Sequence, residues 1–417
     1  HQPGEQEMTG AAVRPRLRPY LAAEADPAKP GFFLVTDTLR LSKAMLRLTA
    51  FDLECLKLFD GNNTINDIQR RLSSRMGGTE IPAERLSLVA DAMDQALFLD
   101  NEAWRATANS PVRKPACIGC YEGDRSALTE QMRDQFLRDG GPGPMISPAT
   151  DHRLDALLVP HIDYNRGGFN FAHGYKALFE QTNARLFVIV GTSHYSPRLF
   201  TLTRKAFETP LGVAPTDEAF IDRVEQAYGP GLYEDELLGH MPEHSIELEV
   251  VFLQHVLGPS RPFRIVPLVV GSFDPILGKR GKVEMEVAIS KMAAAIKHAE
   301  SLAGEPVCHV ISGDLAHIGP KFGDPEPVGP SKLDSSRRQD LLLMHHAAAG
   351  NHEAYRELLS AERDSRRICG FPPTHLALRT LGPCQGRLLR YDQYVHPRGY
   401  ESVSFASMSF RRTGTPS

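Results

Sequence analysis

Along the middle of this chain, apolar residues gather in short continuous runs of Val, Ile and Leu. Three of these runs lead to a histidine: Leu157-Leu158-Val159-Pro160-His161, Leu186-Phe187-Val188-Ile189-Val190-Gly191-Thr192-Ser193-His194, and Val310-Ile311-Ser312-Gly313-Asp314-Leu315-Ala316-His317. Such runs, each followed by a helix-like segment, read as buried strands of a parallel sheet with crossover helices. In sheets of that kind ligands bind beyond the carboxyl ends of the strands. All three histidines fall there, so a shared site containing His161, His194, Asp314 and His317 is expected.

The pattern changes along the chain. Residues 1–30 are rich in Pro, Arg and Ala without periodicity and read as a tail. Residues 31–104 read as a compact module: ribbon-like runs at Gly31–Val35 and Leu39–Leu41, a capping box at Thr49–Asp52, and a second cap at Thr64–Asp67. A third helix follows Pro82, with Leu86, Val89, Met93 and Leu97 on one face. A ribbon with three short helices is the outline of a winged-helix α+β domain. Residues 105–115 lose apolar periodicity and read as a linker. From 116 to 412 strands and helices alternate, which predicts an α/β domain with a mostly parallel sheet flanked by helices, closed by two alternating strands at 387–394 and 402–410.

Composition narrows the function classes. The 417 residues are 41% hydrophobic and 24% charged with a net charge of −4, which provides no long-range field for nucleic acid. The second helix of the small module carries only Arg70 and Arg71, too little for a DNA-reading face. The basic run Arg14-Pro15-Arg16-Leu17-Arg18 reads as a solvated tail, and the stretch before Met8 as a remnant outside the natural chain. No apolar segment approaches the length of a membrane span or the core of a signal peptide, so a cytoplasmic protein is expected.

Six cysteines in so long a chain do not make a disulfide scaffold, and a reducing compartment is the expectation. Cys117-Ile118-Gly119-Cys120 has the spacing of a redox pair or half a zinc site, but nothing nearby completes a tetrahedral set, which favours a structural role. A single strand-end histidine is usually a hydrogen-bonded structural residue. Three in one context suggest a metal site, because neutral imidazoles on a rigid scaffold are good ligands. Cys369, Glu243 and Glu247 are candidates for a third ligand, and spacing does not choose among them. Asp163 reads as either a helix cap or a carboxylate near the metal. His345 and His346 read as surface residues.

In this order, Pro160-His161, Gly191-Thr192-Ser193-His194, Glu243-His244-Ser245-Ile246-Glu247, Ser312-Gly313-Asp314-Leu315-Ala316-His317 and Ile368-Cys369-Gly370 resemble the MEMO family, also called AmmeMemoRadiSam system protein B, over about residues 112 to 412. The resemblance implies a fold like that of class III extradiol dioxygenases, which are non-haem iron enzymes. It also implies metal binding by His161, His194 and Cys369, with His317 and Asp314 as the proton-handling residues. A cysteine in the third place suits copper as well as Fe2+. His244, Asp163 and Phe371 are then substrate-binding candidates, Asp163 and Phe371 being departures from the usual pattern. The wording Leu56-Lys57-Leu58-Phe59-Asp60-Gly61-Asn62-Asn63-Thr64-Ile65-Asn66-Asp67-Ile68 resembles the PqqD-like family, which implies leader-peptide binding by the small module. The resulting expectation is a metal-dependent oxidoreductase acting on a peptide or aromatic substrate. Its alternatives are a non-catalytic peptide-binding protein, and a peptide-modifying enzyme whose first module captures the leader.

Overall fold

The computed structural model describes residues 14–278 and 282–414, so the stretch before Met8 lies outside the described residues. The chain forms two compact units, His1–Ser110 and Pro111–Ser417.

In the first unit β1 (Leu21–Ala25), β2 (Phe32–Asp37) and β3 (Met45–Thr49) make an antiparallel sheet in that order. Four helices follow: α1 (Ala50–Leu56), α2 (Ile65–Arg75), α3 (Ala83–Gln95) and α4 (Glu102–Ala108). Thr49 and Thr64 each close a capping box, with Asp52 and Asp67 returning a carboxylate to the cap backbone. Ile68, Leu72, Leu86, Met93 and Phe98 bury their side chains with Cys55 and Phe59, each contributing about 1.5–3 kcal/mol.

Three sequence expectations are corrected here. The expected tail contains β1, and its basic run is not wholly solvated. Arg18 is 3% exposed, pairs with Asp37 at 2.9 Å and lies over the Trp104 ring, because a charge is buried only with a partner. The expected linker begins inside α4, whose Asn101 cap and buried Trp104 make it a helix without a periodic apolar face.

The second unit opens with β4 (Val112–Arg113), α5 (Arg125–Leu137), β5 (Ala156–Val159), α6 (Tyr164–Gln181) and β6 (Leu186–Thr192). Next come β7 (Phe200–Leu202), β8 (Ala206–Thr209), β9 (Gly212–Ala214), α7 (Glu218–Tyr228), α8 (Glu236–His240), α9 (Glu247–Leu257) and β10 (Arg264–Val270). The remainder is α10 (Asp274–Leu277), α11 (Lys282–Ser301), β11 (Val307–Ser312), β12 (His317–Ile318), α12 (Pro330–Ala348), α13 (His352–Glu362), α14 (Phe371–Leu381), β13 (Cys384–Val395) and β14 (Ser402–Arg412).

Among the described residues the main sheet has eight strands in the order β12-β14-β5-β11-β6-β10-β7, with β13 paired to β14. It is mixed rather than mostly parallel. Among the described residues β5, β11, β6 and β10 pair in parallel, while β7, β12 and the β13–β14 hairpin pair antiparallel. Side chains alternate across these strands, which divides the core in two. Leu157, Val159 and Ile189 pack under α6 and α9, whereas Leu158, Val188 and Val190 pack under α11 and α14. Two buried faces explain why these runs are apolar throughout. Val310 stands beside Leu157 on one neighbour and Ile189 on the other, so β5, β11 and β6 are adjacent and their carboxyl ends crowd together.

Among the described residues no helix is long and apolar enough to cross a membrane. Cys117 and Cys120 are bonded to each other.

Candidate metal centre

His161 follows β5, His194 follows β6, and Asp314 follows β11. Cys369 arrives from a distant part of the chain, on the turn before α14. A close backbone approach places it: a Cβ on Gly370 would stand 2.6 Å from the Asp314 carbonyl, and one on Gly313 would stand 2.4 Å from the Gly370 Cα. Only glycines let these segments touch. The Gly370 N–H donates to the Asp314 carbonyl at 2.9 Å, bringing the Cys369 Sγ to 3.2 Å from the His161 Nε2.

The ligand atoms of His161, His194 and Cys369 lie within 4.8 Å of one another, and so do those of Asp314, His317 and Cys369. His161 is 3% exposed; its backbone N–H donates to Asp314 Oδ1 at 2.9 Å, and Ser312 Oγ lies 3.4 Å from its Nδ1. The ring of His194 is oriented by Glu243. That carboxylate, 1% exposed, meets the His194 Nδ1 at 3.0 Å and accepts the backbone N–H groups of His194, His244 and Ser245. A carboxylate on one ring nitrogen fixes the tautomer and presents the other nitrogen as a ligand.

Sequence spacing left Glu243 and Glu247 open as ligands, and the structure separates their roles. Glu247, fully buried, pairs with Arg113 at 2.6 Å and accepts the Tyr121 hydroxyl and the N–H groups of Ala116 and Cys117. Arg113 also donates to the carbonyls of His240 and Glu243. The helix α9 starts only at Glu247, because the Glu243 carboxylate holds the His244 and Ser245 N–H groups in a turn before it.

A cleft of about 230 Å3 opens over these groups, lined by His161, His194, His244, Asp314, His317 and Asp163 among others. Its wall also includes Arg166, Lys321, Phe322 and Glu401, none of which the sequence reading singled out. The His244 ring stacks on His194, centroids 4.8 Å apart. Asp163 caps α6 by accepting the Arg166 N–H at 3.1 Å and still lines the cleft. Phe371 does not line it. This ring is 2% exposed and packs on Phe273 and Tyr355, backing a second cavity of about 260 Å3 that shares His194 and includes Cys369. His345 and His346 lie on α12, the first exposed and the second half-buried.

Burial sets most of the protonation pattern, since it disfavours charged forms. It pushes His161 well below its ordinary value, reinforced by His194 and His244. Asp314 is raised to about 7 by burial, against the lowering effect of the His161 N–H. His317 is lowered to about 4, again by burial. Burial also raises the Cys369 thiol, with Asp314 adding to it. Glu243 and His194 are exceptions: burial raises Glu243, but His194, His244 and the backbone donors together hold it well below the carboxylate range, and burial lowers His194, but Glu243 lifts it above its ordinary value. His317 Nδ1 faces the carbonyls of Leu315 at 3.1 Å and Arg367 at 3.0 Å. Only an N–H satisfies two carbonyls, so Nε2 is its basic nitrogen.

The comparisons with known proteins converge on one family. Residues 113–409 match the family described as Memo-like protein. A MEMO1 family protein of Aquifex aeolicus is 26% identical over 382 residues, covering 91% of this chain and 96% of the relative. MEMO1 family protein MK0963 of Methanopyrus kandleri is 29% identical over 311 residues, covering 72% of this chain and 99% of the relative. A similar protein of Methanobrevibacter smithii is 31% identical over 214 residues, 50% of this chain and 70% of the relative. With a match extending over most of its length, the chain belongs to the Memo-like protein family.

Proposed function

We propose that the cleft holds one redox-active transition metal, iron or copper, and that the protein is an oxidoreductase acting on a small aromatic or peptide substrate. The observation that carries this reading is the convergence of His161, His194 and Cys369, from three separate segments, onto ligand atoms within 4.8 Å of one another. The donor set fits such a metal: two imidazoles and a thiolate suit borderline and soft ions, whereas magnesium and calcium prefer oxygen. When bound, the metal supplies electron transfer and polarises a coordinated substrate.

The chain's own residues do the rest. Glu243 orients His194, and Asp314 holds the backbone at His161. His317, its Nδ1–H tied to backbone carbonyls, offers Nε2 to take a proton from substrate in the cleft. Ile162, Phe322 and Val403 form an apolar wall, and Arg166 and Lys321 a polar one joined through Glu401. Metal content and oxygen consumption test this reading together. His161→Ala should lose the metal, while His317→Ala should keep it and turn over more slowly; equal metal and equal turnover in both variants would refute it.

A second reading assigns peptide capture to the first unit. What favours it is β1, an outer strand paired only to β2 among the described residues, because such an edge can accept an added strand. Removing residues 1–110 should then abolish peptide binding and spare small-molecule chemistry.

A further inference from the structure

The metal reading makes no use of Cys117 and Cys120. Both are half-buried, and Cys120 lines the mouth of the cleft. Between them Ile118 is 51% exposed and Gly119 is exposed, so the loop that carries the two sulfurs is open to solvent.

The bond between these cysteines is not needed to fix the segment from Val112 to Cys117. Arg113 and Glu247 already anchor it through a fully buried ion pair, β4 pairs with β8, and the Ala116 and Cys117 N–H groups end on Glu247. A disulfide constrains an unfolded chain more the longer the loop it closes, growing with the logarithm of its length, and this loop is among the shortest. Paired sulfurs at Cys-x-x-Cys spacing on an accessible rim are, by contrast, the arrangement that exchanges with other thiols.

We infer that Cys117–Cys120 is a thiol–disulfide exchange site at the mouth of the cleft, taking low-molecular-weight thiols of the glutathione class. In the first step a glutathione thiolate attacks one sulfur, forming a mixed disulfide and releasing the other cysteine as a thiolate. A second glutathione thiolate attacks the glutathione sulfur of that mixed disulfide, and the second cysteine leaves. Two glutathiones are oxidised to one glutathione disulfide, two electrons reduce the protein bond, and the two thiol protons end on Cys117 and Cys120.

Opening the bond acts on the cleft through two hydrogen-bonded routes. The Cys120 carbonyl accepts the Tyr164 N–H at 2.9 Å, at the start of the helix capped by Asp163. The Cys117 N–H donates at 3.0 Å to Glu247, whose partner Arg113 holds the Glu243 carbonyl beside His194. The inference stands apart from the metal reading, since the exchange needs no metal.

The test uses the full-length folded protein in the presence of a chelator, equilibrated with mixtures of reduced and oxidised glutathione, alkylated, and mapped by peptide mass spectrometry. Cys117 and Cys120 should pass from unlabelled to doubly labelled as the mixture becomes reducing, with an unchanged circular dichroism spectrum. Buried Cys55, Cys308 and Cys384 should stay unlabelled. Cys117→Ser should carry one glutathione on Cys120 in the oxidising mixture. A bond that survives excess glutathione in the folded protein and opens only on denaturation would overturn the inference, as would a pair that never forms in oxidised glutathione.

Discussion

Replacing Glu243 tests how the centre is built. Its carboxylate receives three backbone N–H groups and the His194 ring in a place that is 1% exposed. Glu243→Ala would leave those donors without an acceptor. Each buried donor left unpaired costs about 1–3 kcal/mol, so with three backbone N–H groups stranded the variant should lose roughly 3–9 kcal/mol of stability. Glu243→Gln keeps one acceptor oxygen and should lose about 1–3 kcal/mol. With His194 no longer held, metal affinity should fall by about 10–100-fold in either variant. Urea denaturation in the presence of a chelator gives the first quantity, and competition against a chromophoric chelator the second. A loss below about 1 kcal/mol for Glu243→Ala, together with unchanged metal affinity, would refute the reasoning.

Three further outcomes are expected. Arg113→Met strands the fully buried Glu247 carboxylate and should lower stability by about 3–5 kcal/mol, read by denaturant titration. Gly370→Ala puts a methyl 2.6 Å from the Asp314 carbonyl; a loss of about 1–3 kcal/mol is expected, with Cys369 displaced and more reactive to a thiol reagent. Glu300 accepts from Arg412 at 2.6 and 2.8 Å and meets His309, and although burial raises it, these partners hold its carboxyl well below the ordinary range. A depressed carboxyl stabilises the fold above its unfolded value of about 4.3, and that stability is lost as pH falls through the folded value. Glu300→Gln should therefore lower stability at neutral pH and flatten its decline below about pH 4, measured by thermal unfolding across pH.

The strand-end histidines were legible because a strand buried on both faces has a distinctive composition and a definite carboxyl end. The alternation of strands and helices from residue 116 onward was legible from the same pattern. The mixed sheet was not legible, since register and direction depend on partners distant in sequence. β14 pairs with β5 across almost the whole second unit. Motif resemblance singled out Cys369, but the contact that delivers it, Gly313 against Gly370, is a tertiary fact. Arg113 looked like linker, and nothing local marks it as the partner of Glu247. The helix α5 does carry a local signal, with Asp124 as its cap and Leu128, Met132 and Phe136 four residues apart. In the small module both capping boxes were visible because each is a local exchange between residues three apart.

The most direct test of the account is X-ray absorption at the edge of the bound metal, on protein purified without oxygen, beside Cys369→Ala and His194→Ala. The account predicts a first shell with one sulfur and imidazole nitrogens, the sulfur lost in Cys369→Ala and one nitrogen lost in His194→Ala. A shell without sulfur, or one unchanged by either substitution, would contradict the claim that His161, His194 and Cys369 hold the metal.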